Sequence, residues 1–295
     1  MEKKQHSASI IVCAYNQAGI LEKALDAMKR LDYPDYEIIV VNDGSTDLTK
    51  SLLEKKYKKD NSFTIIHLKS NSGLCKARNT GINAAKKEII VMMDQDCIPE
   101  NDWLKNLLKG FDSENVGMVS SFSSESGGTS TAFPRKVLHK VGLFDENFFF
   151  FREDSDLVFR ILDAGYKTRR VKADFQHLHQ QNKLKNLFEF IRYGIKRVKN
   201  HINDVLLFKK HPARAGKFLD VKFGFLANPW KDFGAATNLW HPKGKIALSS
   251  PQGITFIKPK TPLHIIIIIL GGILYVLAVK TARLYGSIKF GKLLL

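Results

Sequence analysis

The chain has 295 residues, 44% of them apolar and 25% charged; this is a globular composition with room for one large α/β domain and an appendage, and it excludes a disordered chain. The net charge of +17 is unevenly placed, since residues 1–179 carry 26 Lys and Arg against 25 Asp and Glu while residues 180–295 carry 20 against 4. A second half at +16 implies an anionic partner, either a phospholipid surface or nucleic acid.

Residues 8–14 are a short unbroken apolar run followed by Tyr15 and Asn16, and a helical pattern follows over residues 18–30. No apolar leader with a cleavage site precedes the run, so the chain is expected to begin in the cytoplasm. The spacing predicts further buried strands over residues 36–41, 63–68 and 89–93, each followed by a turn and most by a helix. Ser45 or Thr46 is expected to cap the helix after the second strand. Strands alternating with helices at this spacing predict a mostly parallel sheet flanked by helices, with ligands bound beyond the carboxyl ends of the strands. Tyr15, Asn16, Asp43, Asn71, Asp94 and Asp96 all fall at those ends. Cys13, Cys75 and Cys97 have spacings that fit neither a zinc site nor a disulfide framework, which suits a reducing compartment.

Asp94 and Asp96 follow directly on the fourth apolar run. Repulsion and partial burial raise the pKa of at least one of two such carboxylates, whereas a divalent cation lets both stay ionised and offers a seat for phosphate oxygens. The chain has neither a Gly-X-Gly-X-X-Gly turn nor a Walker A loop, so an acidic metal site is the remaining route to a bound diphosphate. Residues 99–111 read as a helix, residues 116–120 as a strand, and residues 123–130 as a mobile, Gly-rich loop near the site. Glu153, Asp154 and Asp156 open a helix that runs to Gly165; acidic residues there suit the helix dipole, and they are also candidates for chemistry.

Five segments in this order resemble the family 2 nucleotide-sugar glycosyltransferases of GT-A (Rossmann-like) fold: residues 9–16, 40–47, 71–81, 94–96 and 153–157. The resemblance implies that Tyr15, Asn16 and Asp43 contact the nucleotide base and ribose. It implies that Arg78 and Asn79 approach the donor, with Arg78 beside its phosphates. It further implies that Asp94 faces the nucleotide, that Asp96 and Asp94 hold Mg²⁺ or Mn²⁺, and that a histidine after the last strand joins them. His177 matches that position better than His179, and on a strand only one of the two points into the site. Asp154 matches the catalytic base, with Glu153 as runner-up, and one base opposite a metal-held leaving group implies a single displacement with inversion.

In the cationic half, apolar residues from Leu184 to Val205 step by three or four between Lys185, Arg192, Lys196, Arg197 and Lys199, a basic amphipathic helix of the kind that lies on anionic lipid. Residues 263–279 are apolar and barely long enough to span a bilayer, and Gly271 and Gly272 leave room for a re-entrant hairpin. A further surface helix is expected after Lys280. The expected domains are therefore a catalytic domain over 1–180, a membrane-apposed region over 181–262 and a transmembrane or re-entrant segment over 263–295. The catalytic domain is expected on the cytoplasmic face of the plasma membrane, with a nucleotide-diphosphate sugar as donor, a lipid-linked or surface-glycan hydroxyl as acceptor, and anionic lipids as partners. A polyprenyl-phosphate sugar synthase is the second enzymatic reading. A nucleic-acid-binding protein is disfavoured, because the aromatics do not alternate with the basic residues as a stacking platform requires.

Overall fold

The computed structural model describes residues 5–122, 127–178, 187–237, 246–250, 253–257 and 261–295. The chain divides into two compact units, Met1–Leu178 and His179–Leu295.

In the first unit, β1 (Ala8–Ala14), α1 (Ala18–Met28), β2 (Tyr36–Asn42), α2 (Thr49–Leu52, continued by a π-turn over Leu53–Tyr57), β3 (Phe63–His67), α3 (Leu74–Ala84) and β4 (Ile89–Asp94) alternate as the apolar runs require. After them come β5 (Cys97–Pro99), α4 (Trp103–Leu108), β6 (Val116–Ser120), β7 (Thr131–Pro134), α5 (Arg135–Val141), α6 (Glu153–Asp163), β8 (Lys167–Arg170) and β9 (Phe175–His177). Seven strands form one sheet in the order β3-β2-β1-β4-β7-β6-β8. β1 lies parallel between β2 and β4, and its unbroken apolar sequence follows from burial on both faces. The order places a topological switch between β1 and β4, because the connection from β3 returns across β1. The crevice of such a sheet opens there. Tyr15 and Asp94 stand at its two lips, since Cys13 pairs with Asp94 in register.

β7 had no counterpart in the apolar pattern. It is four residues long, ends on Pro134, and runs antiparallel to both β4 and β6. The cap expected after β2 also differs: Ser45 Oγ accepts from Asn16 N–H, while Asp47 Oδ1 accepts from Thr49 N–H at the start of α2.

The second unit contains α7 (Leu187–Lys199), α8 (Ile202–Lys210), α9 (Pro212–Leu219), the pair β10 (Val221–Lys222) and β11 (Leu226–Ala227), α10 (Pro229–Thr237), the hairpin β12 (Ile246–Ser250) and β13 (Gly253–Ile257), and α11 (Pro262–Phe290). The single basic helix expected over residues 183–206 is two helices over its described part. It breaks at His201, whose Nδ1 lies 2.8 Å from the buried Asp204 Oδ2. Only α7 is amphipathic in the expected sense, exposing Phe188, Ile191 and Ile195, whereas Val205 and Leu207 of α8 are buried.

Gly271 and Gly272 do not turn the chain. α11 passes through them as one helix of 29 residues, the one helix among the described residues long and apolar enough to cross a membrane. Gly272 instead lets α10 approach, for a Cβ there would stand 2.5 Å from Phe233. The surface helix expected after Lys280 is the last third of α11. It is held by Arg283, buried between Asp204 of α8 (2.9 Å) and Asp232 of α10 (2.5 Å).

Candidate active site

The site is built from the loops at the carboxyl ends of β1, β2 and β4 together with the start of α6. Asn16 and Gln17 both adopt left-handed backbone, turning the chain sharply out of β1. Asn16 then clamps the turn after β2, its Oδ1 accepting from Thr46 N–H at 2.9 Å. Asp43, buried at the end of β2, accepts from the backbone N–H of Ser72 (2.7 Å) and of Gly73 (3.1 Å). It thereby ties the second loop to the third. Gly44 makes the approach feasible: its φ is +67°, and a Cβ would lie 2.3 Å from the Ser70 carbonyl carbon. Gly44→Ala is therefore expected to lower the thermal midpoint, with a cost of at least about 1 kcal/mol from the left-handed backbone alone, read by thermal unfolding.

Tyr15 is 43% exposed, with a ring available for stacking. Its backbone is fixed by Gln95, whose Oε1 accepts from Tyr15 N–H (3.0 Å) and whose Nε2 donates to Tyr15 O (3.3 Å). The residue between the two aspartates is thus a latch that closes the β1 loop onto the β4 loop.

Asp96 Oδ2 and His177 Nε2 stand 3.2 Å apart, brought together because Cys97 pairs with His177 across β5 and β9. With Cys97 Sγ, their ligand atoms all lie within 4.8 Å of one another. Two ligands about 2.1 Å from an octahedral cation and at right angles are about 3 Å apart, so carboxylate and imidazole fit one ion. The thiol does not fit. Burial pushes the Cys97 pKa up to about 12, so it stays protonated, and sulfur suits neither Mg²⁺ nor Mn²⁺. The Asp96 contact holds the His177 pKa above its ordinary value. His179 lies outside the described residues. Asp94 stands outside this cluster. Burial raises its pKa, the Arg78 cation lowers it and Asp96 raises it, so it lies in the fields of both the acidic pair and the arginine.

Arg78 does not reach outward. It is 4% exposed, and Nη1 donates to Asp154 Oδ1 (2.8 Å) and Glu153 Oε1 (3.2 Å), with the guanidinium over the Phe144 ring. Asn79 is turned to structure as well: Nδ2 donates to Phe144 O (2.8 Å) and Oδ1 accepts from Phe144 N–H (3.0 Å). Nδ2 also donates to Glu146 Oε1 at 3.1 Å, so both amide hydrogens of Asn79 are committed within the protein, where the resemblance implied a donor contact.

α6 starts from two consecutive left-handed residues, Phe151 and Arg152, which set Glu153 and Asp154 at its first turn. Burial is the main cause raising the Asp154 pKa, and Arg78 opposes it. Glu153 is raised by burial and by the Asp154 charge, again against Arg78, and among the described residues its Oε2 has no hydrogen-bond partner. The two acids therefore differ: Asp154 is partly open while Glu153 is sealed. Asp156 is structural, paired with Arg160 at 2.8 Å.

A carboxyl with a raised folded pKa stabilises the fold fully below its unfolded pKa, and that stability is lost as pH rises through the folded value. Glu153→Gln is accordingly expected to flatten the fall in thermal midpoint above about pH 4.3, the unfolded value, as read by thermal unfolding across pH. Asp154, Arg78, Cys75 and Asp94 are the titratable groups that act on it or feel its charge.

Residues 127–130 of the loop expected to be mobile are built into the site. Thr129 Oγ accepts from Asp94 N–H (3.1 Å), Ser130 Oγ accepts from Trp103 Nε1 (2.7 Å), and Gly127 lies against Asp154. Residues 123–126 lie outside the described residues.

A mostly parallel sheet flanked by helices, with acidic residues at the carboxyl ends of its strands, suits the GT-A fold, and similarity to known proteins agrees. The chain matches the glycosyl transferase family 2 model over residues 9–171, and so belongs to that family. It is 33% identical over 119 residues to the putative glycosyltransferase EpsH of Bacillus subtilis, covering 40% of this chain and 34% of that protein. It is 32% identical over 127 residues to glycosyltransferase AglE of Haloferax volcanii, covering 41% and 42%. These matches span less than half the length of either relative. In fold it resembles the mannosyltransferase PcManGT of Pyrobaculum calidifontis, solved with GDP-Man and Mn²⁺, at a TM-score of 0.66 and 20% identity over 96% of this chain and 88% of that one.

Proposed function

We propose that the chain transfers a sugar from a nucleoside-diphosphate sugar to a hydroxyl acceptor, with inversion, at a membrane surface. The observation that carries this reading is that two acidic centres, Asp96 with His177 and Asp154 held by Arg78, both act on Asp94 at the end of β4. Tyr15 supplies a ring for the base and Asp43 a carboxylate for an imide or ribose. Asp96 and His177 would hold Mg²⁺ or Mn²⁺, with Asp94 turned to the nucleotide. When bound, the cation supplies Lewis-acid stabilisation of the departing diphosphate.

The chain itself provides the rest of the chemistry. Asp154 takes the proton from the acceptor hydroxyl as that oxygen attacks the anomeric carbon and the bond to the diphosphate breaks. Burial keeps the Asp154 carboxylate more basic than a free aspartate, while Arg78 fixes its position and opposes that rise. Glu153 is sealed behind the same guanidinium and positions it. GDP-Man in the mannosyltransferase PcManGT and UDP in a structure of S. aureus TarS, at a TM-score of 0.50, support a nucleoside-diphosphate donor class. The apolar α11 and the +16 second half support a lipid-linked or surface-glycan acceptor at the cytoplasmic leaflet.

The test is turnover of a nucleotide-sugar panel with Mn²⁺, Mg²⁺ or a chelator, with the product anomer read by NMR. Metal-dependent transfer giving the opposite anomer supports the proposal. Retained configuration, or full activity in chelator, contradicts it.

A further inference from the structure

The apolar helix α11 has two unlike halves. From Leu263 to Leu270 nearly every side chain is exposed aliphatic surface, Leu263 and Ile267 more than half so. From Gly272 onward one face is built into the second unit, through Phe233 on α10, Asp204 on α8 and Asp232 on α10. The chain terminus is built in too: Leu295 N–H donates to Phe225 O and Leu295 O accepts from Ala227 N–H, both at 2.7 Å. The carboxyl end of α11 therefore lies on the same side of any bilayer as α8, α10 and residues 225–227.

That side is the one on which the chain leaves the catalytic unit. Residues 179–186 are polar, carrying Lys183 and Lys185, and among the described residues no helix before α11 is long and apolar enough to cross. If α11 crossed the bilayer, Pro262 would sit on the far side, and residues 238–261 would have to carry the chain there. They contain Lys243, Lys245, Lys258 and Lys260. Their uncharged stretch holds β12 and β13, five residues each, paired antiparallel from Ile246 with Ile257 to Ser250 with Gly253, so the chain comes back to where it started. An open two-stranded hairpin leaves backbone groups unpaired at both edges, which hydrocarbon does not tolerate.

We infer that α11 is a monotopic anchor: its first half is immersed in one leaflet of an anionic phospholipid bilayer, and both its ends stay on the side of the catalytic unit. The inference rests on the membrane reading above. Two features argue for lipid as the occupant: in sequence the aliphatic stretch is flanked by Lys258 and Lys260 before it and by the exposed Lys289 after it, Lys280 being committed to Ala227 O, and the whole second half is strongly cationic. Lysine stems lie along apolar surface while their ammonium groups reach phosphate. α7 repeats the pattern, exposing Phe188, Ile191 and Ile195 on a helix that also carries Arg192 and Lys196.

The full chain, expressed in bacterial membranes, tests this. Lys260→Cys and Lys292→Cys would each be labelled with a membrane-impermeant maleimide, in sealed right-side-out spheroplasts and in inside-out vesicles, with wild type giving the background of Cys13, Cys75 and Cys97. Both variants are expected to label above wild type only in inside-out vesicles. Labelling of Lys260→Cys from outside the spheroplasts overturns the inference, because it places the amino end of α11 across the bilayer. Flotation of the purified full chain with phosphatidylglycerol vesicles separates the two levels: loss of flotation removes the membrane reading itself, whereas flotation with external labelling removes only the monotopic anchor.

Discussion

Asp154→Asn is expected to lower transfer to a hydroxyl acceptor by about 10²- to 10⁴-fold while donor affinity stays at the wild-type value. Asparagine has the same shape and keeps an oxygen to accept from Arg78 Nη1, so the start of α6 keeps its position. What it cannot do is take a proton. Because Glu153 is 3% exposed and lies behind the guanidinium, it does not substitute for the missing base. The checks are kcat with a hydroxyl acceptor and donor Kd by calorimetry. Near wild-type turnover in the variant would mean that the acceptor needs no base, which is the behaviour of a phosphate acceptor and of a polyprenyl-phosphate sugar synthase.

Arg78→Met carries the second large effect. It leaves Glu153 and Asp154 side by side without their cation, and breaking a buried pair by removing one partner costs about 3–5 kcal/mol. Methionine retains contact with the Phe144 ring, so the loss reports charge more than volume. The penalty is expected to shrink as pH falls, because both carboxyl pKa values rise further once the guanidinium is gone and protonation relieves the repulsion. Chemical denaturation at two pH values measures it. Equal destabilisation at both would show that packing, and not the buried charges, is what Arg78 supplies.

The parts of the fold read most directly were those in which local sequence and burial coincide. β1, β2 and β4 are apolar throughout because both faces are covered, and the polar residues that end them mark the crevice. β7 was hidden because four residues ending in proline carry no period. The site divides in the same way. Asp96 and His177 were legible as ligand types, and the β5–β9 pairing brings them together. The resemblance alone implies that Arg78 lies beside the donor phosphates; its pairing with Glu153 and Asp154 was not legible, because those partners are 75 and 76 residues away. Gln95 left no signal, and Thr129 and Gly127 read only as part of a loop near the site, since their roles lie in bonds and contacts to distant backbone and side chains. In the second unit, the Gly271–Gly272 pair suggested a turn when its effect is to admit α10; glycine in a helix marks close packing as readily as a break.

In the proposed function Asp96, with its neighbours, holds a cation that in turn holds the donor diphosphate. Calorimetric binding of a panel of nucleoside-diphosphate sugars, with and without Mn²⁺, to wild type and to Asp96→Ala tests it most directly. One or more donors should bind wild type only when Mn²⁺ is present, and none should bind Asp96→Ala under either condition. Donor binding that is indifferent to Mn²⁺, or unchanged in Asp96→Ala, would contradict the account.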